Sequence, residues 1–376
     1  MSERKVLMAG LLPPPLHGQS IATAALFGAD LAPLEPVILP LRFSRELGDV
    51  GRPSLGKVVH LAGLVLRCWR LWLVERPRVL YYTPGSANMV PFLRDVVFLL
   101  ACRPLFRITV LHYHAGGLPD FLACGWRRRV GRWTYGRGAW AVGLSKQVPV
   151  PGLDFGAARD WIVANGLEVP AAGSGGRPER PERPELRILF VGNLFAGKGV
   201  LVLAEAACVL AAELAVPVRL TLVGAAAEAQ TQQELTAWRE RAPANLTIEV
   251  PGVLEGPAKW QAYADADMFA FPSFYQAENQ PLVIIEAMAC GLPVVATRWR
   301  GIPDLVGEGV NGLLVEPRGV ESLVAGLRTL ALDASLRKRF GARSRQRFEE
   351  EFSVVNHVAN MKAVLGAAVE AAGNQH

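Results

Sequence analysis

Cysteine is scarce in this chain of 376 residues. The five (Cys68, Cys102, Cys124, Cys208 and Cys290) are scattered and never spaced C-x-x-C. That excludes a disulfide scaffold, a zinc ribbon and a thioredoxin-type motif. Long apolar runs are also missing. The most apolar stretch, Met89 to Phe106, is interrupted by Pro91, Arg94, Asp95, Arg103 and Pro104. No spanning helix is expected from it. The opening MSERKVLMAGLLPPPLHG has a short apolar core followed by three prolines. It is not expected to be a signal peptide. The loop after the first strand carries no G-x-G-x-x-G, so nicotinamide binding there has no support. Charged residues are 20% against 51% hydrophobic, which excludes global disorder. Cysteine usage fits a reducing cytoplasm.

What is present is uneven. Residues 1–170 hold 20 Lys+Arg against 11 Asp+Glu, and residues 171–376 hold 20 against 23. The first half is therefore basic, suited to an anionic partner. Between the halves, Ala171 to Glu185 reads AAGSGGRPERPERPE. A segment of this kind cannot bury apolar area and reads as a linker. On either side, continuous apolar strands alternate with helical patterns, beginning with KVLMAGLL and restarting with RILFVGNL. Such strands belong to parallel sheets covered on both faces. The expectation is a domain over 1–170, a linker over 171–185, a domain over 186–350, and a C-terminal helix over 351–376 packing back on the first domain.

Doubly wound domains bind ligands beyond the carboxyl ends of their strands. The richest such place is Phe271 to Thr297, FPSFYQAENQPLVIIEAMACGLPVVAT. Pro281 is expected as the first helical residue and Gly291 as the residue that ends the helix. The helix start is an anion site, with Glu278 before it and Glu286 inside it. Two carboxylates can hold two vicinal diols on either side of a phosphate. A second cluster, Gly192-Asn193-Leu194-Phe195-Ala196-Gly197-Lys198-Gly199, follows a strand. Its Lys198 is one of only seven lysines and is expected at a helix start, within reach of a phosphate. In the first half, Gly18 permits close backbone approach after the first strand, behind His17. His112 and His114 share one face at the end of another strand. A metal is not expected there, since no third ligand is evident.

The segments Pro272-Ser273, Glu278 to Glu286, Ala287-Met288-Ala289-Cys290-Gly291-Leu292-Pro293-Val294-Val295-Ala296 and Gly301-Ile302-Pro303-Asp304 resemble the signature of retaining glycosyltransferases of family 4. The resemblance implies an α/β fold of GT-B architecture, with two Rossmann-like doubly wound parallel-sheet domains facing a cleft. It implies transfer of a hexose from a nucleotide-diphosphate sugar to a hydroxyl acceptor, a lipid-linked sugar or glycan in polysaccharide or glycolipid synthesis. The first domain would bind the acceptor and the second the donor. Glu286 then holds the ribose, and Glu278 and His114 (with His112 in reserve) meet the sugar. Lys198 stabilises the diphosphate. Gly18, Gly192, Gly252, Val253, Pro281 and Leu282 line the donor. Two departures stand out. Asn193 replaces the usual Arg of the diphosphate loop, and Asn279-Gln280 replaces the usual Phe-Gly after the first Glu.

No cofactor and no metal are implied beyond the donor itself, and no nucleic-acid module is recognisable. Two other readings share these residues: a nucleotide-sugar epimerase, and a sugar-nucleotide binding protein without catalysis. The helix Lys57–Val74 and the run Trp126 to Tyr135, with Arg127, Arg128 and Arg129, combine basic and aromatic residues. They fit peripheral contact with an anionic membrane, on its cytoplasmic face, as well as a core-facing helix with a solvated basic side.

Overall fold

The computed structural model describes residues 4–14, 18–43, 55–123, 125–169 and 185–374. His17, Cys124 and nearly all of the linker lie outside the described residues. The chain forms two compact units, one of 1–166 with 353–376 and one of 167–352.

The first unit is built on strands β1 (Lys5–Leu11), β2 (Glu35–Leu41), β3 (Val79–Tyr82), β4 (Ile108–His112), β5 (Trp140–Gly143) and β6 (Arg159–Ile162). All pair in parallel, in the order β2-β1-β3-β4-β5-β6. The inner strands are buried along their whole length, as a sheet covered on both faces requires. Helices α1 (Gly18–Phe27), α2 (Leu55–Glu75), α3 (Met89–Cys102), α4 (Leu118–Phe121) and α5 (Gly125–Tyr135) connect them. The sequence pattern over Phe121 to Gly136 fits one helix. The chain instead breaks between α4 and α5, and Gly125 takes a left-handed φ of 60°. A left-handed residue cannot continue a right-handed helix.

One face of this sheet packs against α2, α3 and α5, through Leu64, Cys68, Phe92, Leu99 and Tyr135. A buried carboxylate ties that layer together. Asp95 accepts from Tyr82 (2.7 Å), Tyr135 (3.0 Å), the Gly85 N–H (2.7 Å) and Arg94 (2.7 Å).

The second unit repeats the plan. Its strands are β7 (Leu186–Val191), β8 (Val218–Val223), β9 (Leu246–Gly252), β10 (Met268–Phe271), β11 (Val294–Thr297) and β12 (Gly312–Val315). The parallel order is β12-β11-β10-β7-β8-β9. Helices α6 (Val200–Glu213), α7 (Ala229–Glu240), α8 (Gly256–Asp265), α9 (Leu282–Ala289), α10 (Ile302–Leu305), α11 (Val320–Leu332) and α12 (Ala334–Arg347) flank it. The order reverses between β7 and β10, so the connections that follow these two strands run to opposite faces of the sheet and leave a crevice at the carboxyl ends.

After α12 the chain returns to the first unit as α13 (Val354–Gly373), capped by Ser353, which accepts from the Asn356 N–H. Met361, Val364, Leu365 and Ala368 of α13 are fully buried against Met8, Tyr81 and Val110, on the sheet face opposite α2 and α3. Arg107 donates to the Ala372 carbonyl at 2.8 Å and fixes the far end of the helix.

Candidate active site

The β7–α6 loop and the β10–α9 loop meet at the switch point of the second sheet. The first loop makes a tight turn over Ala196–Lys198, and Gly199 follows at φ 76°. Lys198 thus sits in this turn, two residues before α6, rather than on the helix start expected from sequence. A left-handed residue is needed there to redirect the chain into α6. Gly199 also lies against the neighbouring loop: a Cβ added to it would stand 2.1 Å from the Pro272 carbonyl oxygen. The Phe274 N–H donates to the Gly197 carbonyl at 2.9 Å and completes the contact.

That docking brings Lys198 to Glu278, eighty residues away. Its Nζ donates to Glu278 Oε2 at 2.7 Å, and the Ser273 hydroxyl donates to the same oxygen at 2.6 Å. Glu278, Asn279, Gln280 and Pro281 are all buried. Phe271 and Tyr275 stand 5.3 and 5.4 Å from the Lys198 ammonium, close enough to attract it. The loop after β11 holds the arrangement from outside. Thr297 donates to the Ser273 carbonyl, and the Trp299 indole donates to the Tyr275 carbonyl at 2.8 Å.

Pro281 differs from expectation. It has φ −67° but ψ 117°, so it is the residue before the helix, and α9 begins at Leu282. Its carbonyl accepts from the Ile284 N–H at 3.1 Å, which makes the first turn tight. Pro281 offers no side-chain cap to α9, and no acid lies in the first turn of the helix, whose N-terminus carries the positive end of its dipole. At the other end Gly291 is left-handed (φ 66°), as a helix-terminating glycine should be.

Glu286, about 6 Å along α9 from Leu282, is buried and held by two side chains of α8. Lys259 donates to Oε1 and the Tyr263 hydroxyl to Oε2, each at 2.7 Å. Burial, then the Glu286 charge, raises the Tyr263 phenol well above its ordinary range, so it stays protonated and remains a donor. Burial and the same carboxylate push the Cys290 thiol up to about 12, leaving it unreactive. Sequence reasoning gave Ser273 only as part of the signature, without a role, and missed Lys259 and Tyr263. The available signal was the one that singled out Lys198: Lys259 is another of only seven lysines, and Tyr263 follows it by one helical turn.

The remaining residues of the second unit are more loosely placed. Asn193 is exposed just after β7. Gly252 ends β9 and accepts from the Gly224 N–H at 2.8 Å, and Val253 beside it is exposed.

Gly18 and His114 belong to the first unit. Gly18 opens α1, and the next residue, Gln19, donates to the Pro84 carbonyl across that sheet's own reversal, between β1 and β3. His112 and His114 do come together at the end of β4, with ring centres 4.2 Å apart. His112 is fully buried, bonded to the Tyr81 hydroxyl at 2.8 Å and stacked on His357 of α13. Burial, then the neighbouring imidazoles, lowers its pKa well below the ordinary 6.5. His357 is lowered too, chiefly by burial, while its bond to the Ala164 carbonyl partly offsets this. His112 is thus packed into the unit, and His114 stands nearer its surface. Among the described residues, no group of three or more His, Cys, Asp or Glu is arranged to hold a metal ion.

Fold and site define a protein of two Rossmann-like α/β units, the second with a lysine–carboxylate pair at its switch point. Residues 177–347 match the family model for glycosyl transferases group 1. The matched residues cover most of the second unit.

A sulfoquinovosyl transferase of Arabidopsis thaliana is 44% identical over 102 residues, 26% of this chain and 20% of that protein. The first-ranked curated relatives are matched over 18% to 61% of their own length. Two solved structures share the fold. Sucrose-phosphate synthase from Thermosynechococcus elongatus has a TM-score of 0.73 at 18% identity, over 98% of this chain and 100% of that one. Anabaena HepE, solved with UDP and glucose, has a TM-score of 0.69 at 18% identity, over 96% and 99%. The fold is of the GT-B type, built from two Rossmann-like α/β units.

Proposed function

We propose that this protein is a retaining glycosyltransferase that moves a hexose from a nucleotide-diphosphate sugar to a hydroxyl of a lipid-linked sugar or glycan. The observation that carries the reading is the Lys198–Glu278 pair, joined across the switch point beside the N-terminal, positive end of α9, in a unit that matches the group 1 model. The donor diphosphate lies against Lys198 and the α9 N-terminus, and Gly192 and Asn193 border it. Glu286, aligned by Lys259 and Tyr263, accepts from the ribose hydroxyls. Backbone at Gly252 and Val253 meets the base. Glu278, Asn279 and Gln280 face the transferred sugar.

The bond from the anomeric carbon to the diphosphate oxygen breaks, and its electron pair leaves with the diphosphate. The acceptor oxygen bonds to the same face of the sugar, and its proton passes to the departing phosphate. Catalysis rests on positive groups fixed where negative charge grows, which lowers the barrier more than it tightens ground-state binding. On this reading no metal and no separate protein base are required, and the reaction belongs to the cytoplasm.

The test is nucleoside-diphosphate release across a panel of donors, with and without a polyprenyl-linked sugar. Release that depends on the acceptor supports transfer. Donor turnover without acceptor, or binding with no release under any condition, would sink it.

A further inference from the structure

The inner side chains of α2, α3 and α5 share one core cluster, so these helices lie together over the first sheet. Their outer faces are not polar. On α2, Leu55, Val59, Leu66, Trp69 and Leu73 are exposed, and steps of four, seven, three and four residues set them on one stripe. Leu55 is 86% exposed, Val59 73% and Leu73 64%. Met89, Leu93, Val97 and Leu100 form a matching stripe on α3, and Trp126 and Trp133 are exposed on α5. Single exposed apolar residues are ordinary, but stripes on adjacent helices make a patch that calls for a partner.

The stretch of chain that carries this surface is basic. Residues 55–137 contain thirteen Lys and Arg against three acids, and one of those acids, Asp95, is buried with Arg94. Arg67 and Arg70 border the α2 stripe, and Arg128, Arg129 and Arg132 lie between the two tryptophans of α5. All five are exposed, with no carboxylate partner among the described residues. A bilayer interface with anionic headgroups complements this pattern. Leucine and valine enter the acyl boundary, tryptophan sits at headgroup level, and guanidinium groups meet lipid phosphates. A second copy of the chain is a poor match, because a symmetric contact sets arginines against arginines. Among the described residues no helix is long and apolar enough to cross a membrane.

We propose that the outer face of α2, α3 and α5 is a docking surface for an anionic lipid bilayer. This stands apart from the transferase reading, because its test reads attachment rather than turnover. The full chain is floated with vesicles of phosphatidylcholine alone, or of phosphatidylcholine with phosphatidylglycerol. Attachment to the anionic vesicles only is expected, falling with salt as the Debye length shortens to about 3 Å at 1 M. A basic residue near an anionic surface strengthens attachment roughly fivefold, so Arg128→Ser with Arg129→Ser and Arg132→Ser should weaken it about a hundredfold. Leu66→Ser with Leu73→Ser should weaken it at every salt concentration and leave the salt slope unchanged. All five side chains are exposed, so both variants should melt like the parent, which separates lost docking from lost folding. Equal attachment to neutral vesicles, attachment to neither, or unaltered attachment of both variants would overturn the proposal. So would dimerisation abolished by the leucine changes without any vesicle attachment.

Discussion

Lys198 and Glu278 satisfy each other in the free protein, so a diphosphate entering the loop must take the ammonium over from the carboxylate. The lysine then matters most when the leaving group carries its full charge. Lys198→Ala is expected to lower kcat by roughly 10²–10³-fold with a much smaller effect on donor affinity; steady-state kinetics beside donor titration checks this, and an unchanged kcat removes Lys198 from the site. Lys259 should behave differently, because it acts through Glu286. Lys259→Met should raise the donor KM at nearly constant kcat. It should also cost about 1–3 kcal/mol in denaturant unfolding, less than a fully buried pair would, since the lysine is partly solvated. The buried imidazoles give a pH dependence. His112 and His357 have lowered pKa values in the folded protein, so below about 6.5 the unfolded chain binds more protons than the folded one. Stability should therefore fall as pH drops through 6.5 toward 5, and His357→Gln should flatten that fall in thermal melts. Lys198 could be found in the sequence because glycines and a preceding strand mark its loop. Rarity marks Lys259 as well, but inside a helix a lysine's direction depends on what packs against the helix.

At the level of elements, the β7–α6 loop is held by backbone contacts that tolerate no side chain. Gly199→Ala adds both a disfavoured φ and an approach to the Pro272 oxygen that no Cβ can make. It should destabilise the chain by about 3 kcal/mol or more and reduce activity with Lys198 still present, as denaturation and kinetics together would show. The helix α2 explains where sequence patterning stops. Its apolar residues were read as one face, turned either to the core or to a membrane. The structure divides them: Leu61, Leu64, Val65, Leu71 and Trp72 turn to the core, while Leu66 and Leu73 turn outward. Two apolar stripes on one helix blur each other's periodicity. Pro281 shows a smaller limit, since its fixed φ suits both the first helical position and the one before it, and ψ alone separates them.

For the molecule as a whole, alternating apolar strands and helices made two doubly wound sheets readable, because burial on both faces is written into strand composition. The strand order was not readable, yet it decides that the loops after β7 and β10 share the crevice. Nor is the first unit continuous in sequence. Its sheet face at Met8, Tyr81 and Val110 is covered by α13, and the 186 residues of 167–352 intervene. A chain cut after Phe352 should leave that face bare. Limited proteolysis is expected to consume residues 1–166 of the truncated chain while the second unit persists; equal survival of both would mean that the sheet closes without the helix.

This discontinuity sets an order of events on the ribosome. At about 5–20 residues per second, the first half waits on the order of ten to forty seconds between its own completion and the arrival of α13. Throughout that interval its half-covered sheet and its basic, apolar outer face are both accessible, and whatever reaches them first, chaperone or lipid, meets a protein whose second half is not yet made.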